Sequence, residues 1–236
     1  MTAALPWGAL VMDSRRRENT ALNPPEGGRF VPLSNGVGGS ALSPDGRIAA
    51  FVAALNGKTG IWVRALDETT ARQLRGTEGA ADPFWSPDSK SIAFSSAGKL
   101  QRTDLGGGPP VMIGDGDATR GAAWSEDGQI AFGSVTEGLF HVPAVGGTPS
   151  PLTRLDARRG ETDHRFPQIL PGGRLLYWAL TDRPENTGVY VAPLTRPSER
   201  VFLLQTETAA ILALGGDGRE YLLWLRGGTL RVSRPN

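Results

Sequence analysis

One short phrase recurs five times along the 236 residues, and its spacing leaves few folds open. It reads ALSPDGRIAAF at 41 to 51, FWSPDSKSIAF at 84 to 94, AWSEDGQIAF at 123 to 132, ILPGGRLLYW at 169 to 178 and LGGDGREYLLW at 214 to 224. Marked at its third turn residue, the phrase falls on Asp45, Asp88, Asp127, Gly172 and Asp217, in steps of 43, 39, 45 and 45 residues. A period of about 40 to 45 residues belongs to the four-stranded blades of a propeller.

The chemistry of the phrase agrees with that reading. Proline presets φ at the second position of a turn, aspartate bonds backbone further on, and glycine accepts the exit conformation. Pro44-Asp45-Gly46 is therefore expected to join the innermost strand of a blade to the next. The aromatics around the turn, Trp85 and Trp124 before it and Phe51, Phe94 and Phe132 after it, suit packing between neighbouring blades. A second run follows a glycine in every period: TGIWVRAL at 59, AGKLQRTDL at 97, EGLFHVPAV at 137, TGVYVAPL at 187 and GGTLRVS at 227. These read as third strands entered through tight turns. Outer strands follow as RQL at 72 to 74, PVMI at 110 to 113, SPLT at 150 to 153 and RVFLL at 200 to 204.

The expected fold is thus all-β: a β-propeller of four-stranded antiparallel blades over residues 28–236, behind a leader at 1–27 that carries no blade pattern. The fifth unit offers only three strands, while GRFVPLS at 28 to 34 resembles an outer strand without a blade. Pairing that N-terminal strand with the last blade would close the ring and remove exposed edges. The alternative is an incomplete piece of a larger propeller, whose open edges would favour self-association.

Composition narrows the function. The 25 basic and 24 acidic side chains leave a net charge of +1, so no overall field attracts nucleic acid or an anionic membrane. The chain has no cysteine, which removes disulfides, thiolate nucleophiles and cysteine metal sites. The apolar stretch at the N-terminus is about ten residues long and is followed by Arg15, Arg16 and Arg17. A spanning helix needs roughly 20 residues, so stable membrane insertion by this chain is not expected.

The turn phrases resemble the TolB-like, WD40-like propeller repeats of bacteria, in which SPDG precedes a strand of I-A-F type. SPDG at 43 to 46, SPDS at 86 to 89 and SEDG at 125 to 128 carry the likeness, and LPGG and GGDG follow it more loosely. GTEGAADPFWSPDSKSIAF, GGPP at 107 to 110 and RGETDHRFPQILPGGRLLYW at 159 to 178 are similar to the extracytoplasmic propellers of bacterial receptor-like serine/threonine kinases. The resemblance implies six to eight blades in typical members, an extracytoplasmic or periplasmic setting and a sensor role in a kinase-linked system. No kinase motif lies in this chain, so any kinase would be a separate domain.

No catalytic residues and no cofactor are expected. There is no G-x-S-x-G elbow for a nucleophilic serine. Asp115 and Asp117 resemble the start of a calcium loop, but Thr119 and Arg120 stand where an oxygen ligand and a glycine belong, so no metal site is assigned. The densest polar cluster, RGETDHR, leads into the first strand of the fourth blade, and that strand lines the central channel of a propeller. Asp82, Trp85, Glu161, His164 and Arg165 are accordingly the candidate ligand-binding residues around the channel mouth, for a protein or small-molecule partner. The reading from another class is a propeller enzyme, such as a lyase or a glycoside hydrolase.

Overall fold

A computed structural model describes residues 22–31, 39–135 and 137–234. The first sheet contains β1 (Arg29–Phe30), β2 (Ser40–Leu42), β3 (Ile48–Leu55), β4 (Lys58–Ala65) and β5 (Arg72–Gln73). The second runs β6 (Ala81–Trp85), β7 (Ser91–Ser96), β8 (Lys99–Asp104), β9 (Val111–Asp115), and the third β10 (Ala122–Trp124), β11 (Gln129–Gly133), β12 (Leu139–Pro143), β13 (Ser150–Pro151). The fourth runs β14 (Glu161–Leu170), β15 (Arg174–Thr181), β16 (Gly188–Pro193), β17 (Val201–Gln205), and the fifth β18 (Ala210–Leu214), β19 (Glu220–Arg226), β20 (Thr229–Ser233). Every neighbouring pair is antiparallel, and each sheet is one blade.

The recurrent phrase forms the inner hairpin of each blade. In the first, the Ser43 hydroxyl donates to Asp45 Oδ1 at 2.6 Å, and the same carboxylate accepts from the Arg47 N–H at 3.1 Å. Ser86 and Asp88 repeat this at 2.7 Å, with the Lys90 N–H donating at 3.1 Å. The serine hydroxyl also accepts from the first residues of the next strand, Ile48 N–H and Ser91 N–H, both at 2.9 Å. These residues therefore spend their hydrogen-bonding capacity inside the turn, where buried backbone donors need partners.

Blades pack face to face through the aromatics and aliphatics that flank the turns. Ala50, Ile61 and Val63 of the first meet Trp85, Ile92 and Phe94 of the second. Phe84, Leu100 and Ile113 of the second meet Trp124, Ile130 and Phe132 of the third. Leu139 of the third meets Leu175, Tyr177 and Tyr190 of the fourth, and Leu176, Trp178 and Val189 of the fourth meet Ala210 and Leu222 of the fifth. The inner strands β2, β6, β10 and β14 lie side by side in that order, which places their first residues around the axis.

The expected closure is not what forms. Arg29 and Phe30 pair with Ala54 and Ala53 in the first sheet, beside β2, and not with the fifth sheet. The physical reason is length: β3 has eight residues and β2 only three, so the free edge of β3 beyond β2 bonds the incoming chain. Residues 32–34 of the expected strand lie outside the described residues, as do residues 1–21 of the leader. The fifth sheet has three strands among the described residues, and β20 is its open edge.

Candidate binding site at the channel mouth

Asp82 occupies the second position of β6 at φ 52°, where a register shift separates Ala81 from Phe84. The position four residues before the first residue of the turn phrase (Ser86 for Asp82, then Ser125 and Leu170) is left-handed in the next two blades as well. It is Gly121 at φ 84° in the third and Phe166 at φ 54° in the fourth. In the second and fourth blades this position falls within a register shift of the inner hairpin. Gly121 is required for a further reason: a Cβ there would lie 2.9 Å from Phe166 Cα of the neighbouring blade.

The half-buried Asp82 carboxyl faces the loop between β9 and β10, which carries Asp117. Burial first, and then the charge of Asp117, push Asp82 up to about 6. That loop is pinned by the Ala118 N–H, which donates to Ser95 Oγ at 2.6 Å. Asp117 Oδ1 accepts from the Thr119 hydroxyl at 2.6 Å and from its N–H at 3.1 Å. Asp82 and Asp117 thus form a coupled carboxylate pair that is only half legible in the sequence, which points to Asp82 but offers Asp117 solely as a calcium ligand.

Asp163 joins two arginines. Its Oδ2 lies 2.5 Å from Arg165 Nε and 3.2 Å from Arg120 Nε, and burial pushes its carboxyl up against the pull of both guanidinium groups. Arg165 also lies over the Trp178 ring at 5.6 Å. Arg120 is tied to the fourth blade a second time, through its carbonyl, which accepts from the Phe166 N–H at 2.7 Å. The sequence points to Arg165 but not to Arg120, whose place in a loop carries no periodic signal.

The other three candidates are placed elsewhere. Trp85 is 7% exposed, packs between the first two blades and donates from Nε1 to the Ala41 carbonyl at 3.1 Å. Glu161 and His164 are not at the mouth but in the seam between the third and fourth blades. There His164 Nδ1 is 2.8 Å from Thr153 Oγ1, and its Nε2 is 3.1 Å from Glu161 Oε2. The strand alternates faces, so Asp163 and Arg165 turn one way while His164 turns the other.

The seam carries a hydroxyl, an imidazole and a carboxylate in line, the order used in nucleophilic catalysis. Its environment assigns it a different task. The His164 side chain has no exposed surface, and the Thr153 hydroxyl already accepts from the Leu139 N–H at 2.8 Å. Glu161 is completed by the Asp156 N–H at 2.7 Å and by Arg200 Nη2 at 2.7 Å from Oε1. Burial pushes Glu161 up, but the bonds from His164 and Asp156 and the charges of His164 and Arg200 outweigh it and hold the carboxyl below its ordinary value. Arg200 lies over the Tyr190 ring at 5.4 Å, beside Tyr177, whose hydroxyl burial pushes up to about 12. The cluster is a polar clamp between blades.

No protein-family profile matches the chain, and no curated protein matches it. Among solved structures it is similar to TolB from Agrobacterium tumefaciens, with 19% identity, a TM-score of 0.50 and coverage of 82% of this chain and 63% of that one. It therefore spans less than two thirds of the length of that protein. It is also similar to a chain of the nidogen/laminin complex, with 9% identity, a TM-score of 0.64 and coverage of 88% of this chain and 85% of that one. No helix among the described residues is long and apolar enough to cross a membrane. What these likenesses establish is the fold: the chain is an all-β, five-bladed β-propeller with TolB among its structural neighbours.

Proposed function

We propose that this propeller is a non-catalytic binding module that recognises a cationic group of a protein or small-molecule partner at the channel mouth. The observation that carries this reading is Asp82, held half-buried in a left-handed bulge beside a second carboxylate. Free of a ligand, that arrangement costs stability, because like charges and burial both oppose ionisation. An amine or guanidinium between Asp82 and Asp117 would relieve the cost, and functional sites are where such costs persist. The resemblance to TolB-like and kinase-linked propellers supports an extracytoplasmic setting and a sensor role.

A panel of lysine- and arginine-containing peptides, titrated calorimetrically against the wild type and Asp82→Asn, tests the site. The variant is expected to lose at least tenfold in affinity for any peptide that binds; equal affinity removes the mouth from the proposal. Reproducible turnover of oligosaccharides would favour the enzyme reading instead. A second reading, self-association, is favoured by the fifth sheet. Its outward face presents Ile211, Leu223, Leu225, Leu230 and Val232, and of these Leu230 is 58% exposed. Next to the open edge of β20, that face offers another copy both hydrogen bonds and apolar surface.

A further inference from the structure

Two hollows between the third and fourth blades share Leu152 and Pro197 and form one groove. One, about 450 Å³, is lined by Ala131, Leu152, Ile169 and Leu194 among others. The other, about 440 Å³, is lined by Thr153, Ser198 and the arginines Arg154, Arg159 and Arg200, together with Asp156. The groove is thus apolar at one end and cationic at the other, and none of these residues belongs to the channel mouth.

The charge at the cationic end is not balanced from within. Arg200 is held by Glu161 at 2.7 Å and lies 3.6 Å from Asp156 Oδ2, and Arg159 Nε is 3.7 Å from the same oxygen. Three guanidinium groups therefore face two carboxylates. Arg154 is exposed and has no ion pair among the described residues. Arg200 is fixed in place by Glu161 and the Tyr190 ring, so Arg154 and Arg159 are the groups left to meet an incoming anion. The guanidinium fork matches a carboxylate in two parallel hydrogen bonds, and pockets of this kind take an apolar body with a few polar contacts that orient it.

We propose that this groove binds a small amphipathic carboxylate, with its chain along Ala131, Leu152, Ile169 and Leu194 and its head on Arg154 and Arg159. Octanoate is the probe, titrated calorimetrically into the full chain, with acetate and octylammonium as partners that lack the chain or reverse the charge. Octanoate is expected to bind at least tenfold more tightly than either. Arg154→Gln combined with Arg159→Gln should weaken it at least tenfold, whereas Arg226→Gln, on the fifth sheet, should leave it unchanged. Both groove arginines are exposed, and an unchanged melting temperature will show that the double variant is folded. Methyl chemical-shift changes are expected at Leu152, Ile169 and Leu194. Octylammonium binding as tightly as octanoate, no octanoate binding, wild-type affinity in the double variant, or shifts confined to Ile211 and Leu230 of the fifth sheet would each overturn the proposal.

Discussion

Asp88 and Ser89 show how two adjacent side chains in one turn answer to different demands. Asp88 is exposed, yet its carboxyl is held below its ordinary value, first by the Ser86 hydroxyl, which with the Lys90 N–H and charge outweighs the opposing effect of burial. A carboxyl lowered in the folded state stabilises above its unfolded value and loses that contribution as pH falls through its folded value. Asp88→Ala is therefore expected to cost about 1 kcal/mol at pH 7 and almost nothing in strong acid, read from denaturant midpoints at the two pH values. Ser89 stands where the other turns have glycine and sits at φ 62°. Its hydroxyl accepts from the Asp45 N–H of the preceding blade at 3.1 Å, which offsets the strain. Asp82 has the opposite sign to Asp88: raised to about 6, it stabilises in its protonated form below its unfolded value of 3.8, and this is lost as pH rises through about 6. Asp82→Asn is expected to raise the melting temperature at pH 7 by a few degrees and to leave it nearly unchanged at pH 3.5, which thermal scans at both pH values will show.

At the scale of strands and seams, the turn-strand period of the sequence was enough to place all five inner hairpins, because turn chemistry acts over four residues and repeats. The outer strands were legible for the same reason, and the observed Val111–Asp115 and Val201–Gln205 fall within a residue or two of the sequence reading. The seam was not legible. Glu161 and His164 meet Arg200 and Thr153, which lie in other strands and loops, and only the stacking of two blades brings them together. The same stacking hides Trp85, whose indole is satisfied by a carbonyl 44 residues earlier. Removing one member of the clamp leaves the other charge buried and unmatched, which typically costs about 3 to 5 kcal/mol. Glu161→Ala and Arg200→Met are each expected to destabilise by about that amount, while the double variant should recover part of the loss. Chemical denaturation of all four proteins measures the coupling.

For the whole molecule, the two ends of the blade series differ. On the first sheet, Phe51 and Trp62 are buried beneath Leu22, and Phe30 meets Phe51 edge-on at 5.3 Å. The outward face of the fifth is apolar, and among the described residues nothing packs on it. Leu230→Lys together with Val232→Lys is expected to abolish concentration-dependent association in light scattering without lowering the melting temperature, since both side chains already face solvent. The open face also sets an order of events. A blade held on one side only has the smallest free energy of local opening, and each blade contacts only its neighbours, so its loss uncovers the next. Amide hydrogen exchange should accordingly be fastest in β19 and β20 and slowest in β7 and β11, a gradient along the chain that makes the propeller unravel from one end.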